Sequence, residues 1–186
     1  MRISLKPSAG FLLPVLAAMT LATVACSEGV EGTPSATQSP SSAATEPGQA
    51  VVDTSSLDPC TMMTPADLTE YGTFLPGTSE NKGGARGCSW VKSVQTASEK
   101  GIVIGVGVRD SQGVKDANDV GGGLQPVTVN GREAVQIPDA SGCILALGVG
   151  ARSRVDLTIA ADEAEKGCQI ATKVAQTVVE PKLPKG

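Results

Sequence analysis

Apolar residues recur at every second position in several short segments, a spacing that predicts β-strands. The clearest is residues 101–109, GIVIGVGVR, where isoleucine and valine lie on one face and Gly105 and Gly107 on the other. Residues 143–149 form a continuous apolar run that predicts a buried strand, and residues 154–159 alternate polar and apolar positions. We expect these last two segments to pair.

A turn signal and one further segment add three strands. Asn130-Gly131 favours a type I′ turn and separates residues 127–129 from residues 133–137, so this stretch predicts a β-hairpin. Residues 88–91 follow a glycine-rich approach and are predicted as a strand.

Two segments carry helix signals. Thr64 is a suitable N-cap for a short helix over residues 65–71, because a proline follows it at the first helical position. Asp162 and Glu165 resemble a capping box at the start of a C-terminal helix that ends before Pro181.

The order of these segments predicts an α+β fold. We expect a mainly antiparallel sheet of about five or six strands, with two or three helices packed on one face. Residues 113–120 are the candidate for the third helix.

The N-terminus has the pattern of an export signal. Arg2 and Lys6 are followed by an uncharged, mainly apolar stretch over residues 7–25. A transmembrane anchor is the alternative, but the apolar run contains Pro14 and is shorter than the roughly 20 residues that a spanning helix needs.

The end of this stretch resembles a bacterial lipobox, in which lipid is attached to a cysteine and the chain is cut before it. Small Ala25 precedes Cys26, although Thr23 stands where leucine is favoured. We therefore expect residues 1–25 to be a lipoprotein signal peptide and Cys26 to carry the lipid. The predicted location is the outer face of the cytoplasmic membrane; ordinary secretion is the alternative.

Composition separates a tether from a domain. Residues 26–56 are rich in serine, threonine and proline and predict a disordered tether with a reach on the order of 30 Å, while residues 57–186 form the domain. After removal of residues 1–25 the chain has 13 basic and 19 acidic residues, a net charge of −6. This charge argues against nucleic acid as a partner.

The cysteine count fits this division. With lipid on Cys26, four cysteines remain, and they allow three pairings. We favour disulfide bonds Cys60–Cys88 and Cys143–Cys168, which would tie the N-terminal helix to the first strand and a later strand to the final helix. Metal binding by the four is the alternative, but the chain has no C-x-x-C pair and no histidine.

Short motifs follow the lipobox cysteine and the tether in a definite order: Asp58-Pro59-Cys60, Thr64-Pro65-Ala66-Asp67-Leu68, Cys88-Ser89-Trp90, Cys168 and Leu183-Pro184. In this order they resemble the actinobacterial lipoproteins grouped as "domain of unknown function 3558". The resemblance covers roughly residues 57–184 and implies an envelope lipoprotein with paired cysteines, but no activity.

Candidate chemistry is sparse. The absence of histidine removes the usual catalytic triads, and we expect no enzyme activity, no metal and no cofactor. Trp90 is expected to be a core residue, or else to form a ligand groove with Tyr71 and Phe74, with Arg86 orienting an anion at its mouth. We expect a binding module for an envelope protein or small ligand; a structural lipoprotein without a ligand and a histidine-independent hydrolase are the alternatives.

Overall fold

One antiparallel sheet of seven strands organises the computed structural model, which describes residues 51–185. The strands are β1 (Thr78–Lys82), β2 (Ala85–Val91), β3 (Val103–Arg109), β4 (Gln125–Val129), β5 (Arg132–Asp139), β6 (Gly142–Gly150) and β7 (Ser153–Ala160). Their spatial order is β1-β2-β3-β7-β6-β5-β4, so β1 and β4 are the two edges.

Alternation along the central strands places one face of the sheet in the hydrophobic core. Ile104 of β3 lies between Trp90 of β2 and Ile159 of β7, and all three side chains are buried. Valine and isoleucine suit these positions because branched side chains pack well on a pleated surface. The same face continues through β6 with Leu145 and Leu147.

One α-helix and an N-terminal segment cover the buried face. Helix α1 (Ala164–Val174) packs on β5, β6 and β7 and continues through a π-helical turn (Ala175–Val179) and a 3₁₀ turn (Glu180–Lys182). A 3₁₀ turn at Pro59–Thr61 packs against β2 and β3. The N-terminal segment adds four side chains to the core: Met62, Met63, Leu68 and Phe74. None of the helices within residues 51–185 combines the length and the apolar character needed to cross a bilayer.

The expected count of strands was wrong, since the sheet has seven rather than five or six. The missed strand is β1, Thr78–Lys82, whose five side chains are all exposed. It has no apolar alternation because neither of its faces is buried. Its pairing with β2 is set by the tight turn at Gly83 and Gly84, both of which have positive φ.

The expected two or three packed helices were also wrong, because α1 is the one α-helix among the described residues. Pro65–Tyr71 forms a 3₁₀ helix instead. Its start signal is present, since the Asp67 carboxylate accepts hydrogen bonds from the backbone and hydroxyl of Thr64. Gly72 ends it after seven residues, too few for an α-helix to be stable on its own. The segment at 113–120 contains only a 3₁₀ turn, Val114–Asp116.

Both favoured disulfide bonds are present. Cys60 is joined to Cys88 and Cys143 to Cys168, each with Cα atoms 5.0 Å apart. The first fixes the N-terminal segment to β2, and the second fixes α1 to β6. The disulfide bonds therefore hold both parts of the covering layer to the sheet.

A buried charge cluster lies on the other face of the sheet. The Asp156 carboxylate accepts hydrogen bonds from Arg154, at 2.8 Å, and from Arg109, at 2.5 Å. Arg154 also donates to the Gly113 carbonyl, and Arg109 to the Gly83 carbonyl. The cluster thus ties two loops to the central strands β3 and β7.

Candidate functional site

A groove of about 680 Å³ runs between α1 and the β4–β5 hairpin. This volume lies within the range of small-molecule binding sites. Seven of the ten lining residues have polar or charged side chains, and four of these are glutamines. The lining consists of Gln125, Gln136, Pro138, Ala164, Glu165, Cys168, Gln169, Thr172, Lys173 and Gln176.

Residues of α1 form one wall of the groove, and helical periodicity places their side chains on the same side of the helix. Glu165, Gln169, Thr172 and Lys173 recur at the short intervals that place side chains on one side of a helix. The apolar stripe of α1 faces the sheet, where Ala171 is completely buried. The packing of this stripe fixes the helix backbone, and with it the positions from which the neighbouring polar side chains project beside the sheet.

Strand register builds the second wall. Gln136 of β5 lies directly opposite Gln125 of β4, and both side chains line the groove. Asn130 and Gly131, with φ of 50° and 86°, form the expected tight turn of this hairpin. The groove arises because β4, the edge strand of the hairpin, lies beyond β5, β6 and β7, on which α1 packs.

Hydrogen bonds fix part of the groove and leave part of it free. Gln136 donates to the Thr172 hydroxyl at 2.8 Å, and that hydroxyl donates to the Cys168 carbonyl at 2.9 Å. The side chains of Gln125, Lys173 and Gln176 make no hydrogen bond or ion pair with any of residues 51–185. All three side chains are exposed, so their hydrogen-bonding groups are available to water or to a ligand.

The side chains of the groove could hold a ligand through hydrogen bonds and ion pairs. Its amides both donate and accept hydrogen bonds, and Glu165 and Lys173 add one charge of each sign. Across the described part of the chain, no group of histidine, cysteine or carboxylate side chains is arranged to hold a metal ion.

The aromatic residues expected to line a groove lie elsewhere. Trp90 is 1% exposed and Phe74 5% exposed, and both belong to the hydrophobic core. Tyr71 packs against the same core, where burial, with Glu70 nearby, raises the pKa of its hydroxyl. These three aromatic side chains do not form a groove, and the core position expected for Trp90 is the one observed.

Arg86 is at the opposite end of β2 from Trp90 and is occupied by internal partners. Its guanidinium donates to the carbonyls of Thr54 and Leu57 and makes two hydrogen bonds to Asp110. Thr54 is itself buried and donates to Asp110 at 2.7 Å. Hydrogen bonds from Arg86, and then from Thr54, lower the pKa of the Asp110 carboxyl.

Arg86 therefore fixes the chain from residue 54 onward to the sheet instead of presenting free donors. A cavity of about 250 Å³ lies beside it, but these internal hydrogen bonds use the guanidinium atoms that an anion would need. The expected lipidation site, Cys26, the signal peptide and most of the expected tether lie outside the described residues.

Sequence reasoning did not find the helix–hairpin groove. A polar stripe beside the apolar stripe of an amphipathic helix usually faces water, so glutamines there carry no special signal. A combined prediction of the hairpin edge and the helix position would have been needed to place Gln125 near Gln176.

Comparison with known families gives one match. The family model described as "Protein of unknown function (DUF3558)" matches residues 21–181. No curated protein and no solved structure gives a significant match to the chain.

Proposed function

Because the chain belongs to the DUF3558 family, whose description names no activity, we propose its function from the groove and from the N-terminal signal. The protein is a lipid-anchored extracytoplasmic binding module, and the groove between α1 and the β4–β5 hairpin holds its ligand. The observation that carries the proposal is the row of unpartnered polar side chains, Gln125, Lys173 and Gln176, along this groove.

The anchor part of the proposal is supported by the sequence and by the cysteines. Cys26 follows an apolar stretch and Ala25, and the four other cysteines are all used in disulfide bonds. Disulfide bonds are typical of proteins outside the cytoplasm. Labelled fatty acid should be incorporated into the full chain and lost in Cys26→Ala; equal labelling of the two chains would contradict the anchor.

The binding part is tested by photo-crosslinking in living cells. A photoreactive amino acid at position 176 lies in the groove, whereas the same residue at position 166 lies on α1 outside it. Both positions are exposed, so Lys166 is the matched control for Gln176. We expect a discrete adduct from position 176 and none from position 166. No adduct from position 176, or the same adduct from both, would contradict a ligand in the groove.

A further inference from the structure

We infer that the groove binds an extended peptide segment of about five residues, with an acidic group of the peptide next to Lys173. This inference rests on the proposed function, because it names the chemical class of the ligand for the same groove. A saccharide is the competing ligand class, and the test below distinguishes the two.

The length of the groove fits an extended chain. The lining residues of the helical wall run from Ala164 to Gln176, which corresponds to about 18 Å at a rise of roughly 1.5 Å per residue. An extended peptide advances about 3.3 Å per residue, so about five residues span this wall.

The side chains along the groove match a peptide backbone. Each glutamine amide carries a donor and an acceptor, and a peptide bond offers an acceptor and a donor in return. Sugar rings are commonly held against an aromatic face, and the groove has none. Among the described residues, the aromatic side chains are Tyr71, Phe74 and Trp90, which all pack in or against the hydrophobic core and do not line the groove.

Two charges give the groove a direction. Glu165 and Lys173 are eight residues apart on α1, or about 12 Å along the helix axis. Glu165 accepts a hydrogen bond from Gln169 at 3.3 Å, whereas Lys173 has no partner among residues 51–185. The free ammonium group therefore favours an acidic side chain or a terminal carboxylate at that end of the peptide.

The free edge of β4 is poorly suited to hold the peptide as an eighth strand. The two-residue turn makes Val129 and Arg132 a hydrogen-bonded pair, so alternate residues of β4, including Pro126, direct their backbone groups to the free edge. Pro126 has no N–H to donate there, a common protection of sheet edges. We therefore assign recognition to the side chains of the groove.

The test uses the full chain carrying Cys26→Ala, purified with its disulfide bonds intact. It is screened against a phage-displayed library of random linear heptapeptides and, in parallel, against an array of cell-envelope oligosaccharides. Enriched peptides are then synthesised with a fluorescein label, and their affinity is measured by fluorescence anisotropy. We expect enriched peptides to share an acidic residue, and the oligosaccharides not to bind.

Charge variants locate the peptide. Lys173→Glu should weaken binding about fivefold, while Lys166→Glu, the same change on the same helix outside the groove, should leave it within about twofold. A peptide with lysine in place of its acidic residue should bind Lys173→Glu better than the parent chain. Likewise, Gln176→Ala should weaken binding and Gln95→Ala, in an exposed loop that does not line the groove, should not.

The outcomes separate this inference from the proposed function. Binding of an oligosaccharide that is lost in Gln176→Ala would overturn the peptide inference and leave the binding groove standing. Peptide binding that is equal in Lys173→Glu and Lys166→Glu would overturn the assignment of the acidic group. A crosslink at position 176 without any enriched peptide would overturn the peptide class alone, whereas absence of that crosslink would contradict the proposed function.

Discussion

Removal of the negative charge at Asp156 should destabilise the fold more than any exposed charge change. Asp156→Asn keeps the shape of the side chain but leaves the guanidinium groups of Arg109 and Arg154 without their counter-charge. The side chains of Asp156 and Arg154 are 9% and 6% exposed, so water replaces the lost interaction only in part. The Arg109 side chain, at 20%, is better solvated.

The expected loss in the free energy of unfolding follows from this burial. Breaking a buried ion pair by removing one partner costs about 3–5 kcal/mol, and we expect about 3 kcal/mol because Arg109 keeps some solvent and asparagine keeps one acceptor oxygen. For a domain of roughly 135 residues, this loss corresponds to a fall in Tm of about 10 °C. Urea unfolding of the chain with Cys26→Ala, followed by circular dichroism, measures the free energy of unfolding directly.

An exposed pair provides the matched control. Asp162 forms an ion pair with Lys100 at 2.7 Å, but their side chains are 52% and 74% exposed. Asp162→Asn makes the same chemical change and should cost far less, because both partners of this pair are solvated. If Asp156→Asn were no more destabilising than Asp162→Asn, the reasoning from the buried cluster would be refuted.

Three further changes test other features of the fold. Replacing Cys143 and Cys168 together with alanine should cost about 3.5 kcal/mol in chemical denaturation, because the bond closes a loop across 25 positions. The pKa of Asp110 is lowered, so its ion pair with Arg86 should stabilise the fold fully above pH 3.8, the ordinary aspartate pKa, and this stabilisation should be lost as the pH falls further. Asp110→Asn should therefore make the free energy of unfolding depend less on pH. The change should be less than about 1 kcal/mol, because the side chains of the pair are over a third exposed. Gly142→Ala should unfold the domain or lower its Tm sharply, because the added Cβ would meet a backbone carbonyl of β7 at a φ of 142°; an unchanged Tm would contradict this packing.

The strands that sequence predicted are those whose side-chain pattern coincides with burial. Val103–Arg109 alternates between the core and the less buried opposite face, and Gly142–Gly150 is buried along almost its whole length. The turn at Asn130 and Gly131 was predictable because only a few residue pairs accept positive φ at both positions. In these segments the local preference and the tertiary structure agree.

The missed features depend on contacts that no single segment encodes. Thr78–Lys82 is a strand because β2 pairs with it, and its own side chains give no strand signal. Pro65–Tyr71 begins with a good cap, but such caps suit 3₁₀ and α-helices alike, and Gly72 ends the segment early. Tertiary pairing in the first case and helix length in the second decide the outcome.

The candidate groove was hidden from sequence reasoning for a related reason. Its free polar residues, Gln125, Lys173 and Gln176, come from an edge strand and a helix about 50 positions apart, and each would be unremarkable on a solvated surface. The aromatic residues stood out in a chain with few of them, but their hydrophobicity placed them in the core. The rare aromatic residues therefore belong to the core and not to the candidate site. The candidate groove exists because α1 and the edge strand β4 lie next to each other, which neither segment indicates by itself.

The sheet order also relates the groove to the proposed anchor. Arg86 of β2 binds the Thr54 carbonyl, so the chain that leads back towards Cys26 meets the sheet at β2. Five strand spacings separate β2 from the edge strand β4, or about 24 Å at roughly 4.8 Å each. The groove thus lies along the edge remote from the point where the tether would join. If the chain is anchored as proposed, the tether joins the domain away from Lys173 and Gln176 and therefore does not need to cover the groove.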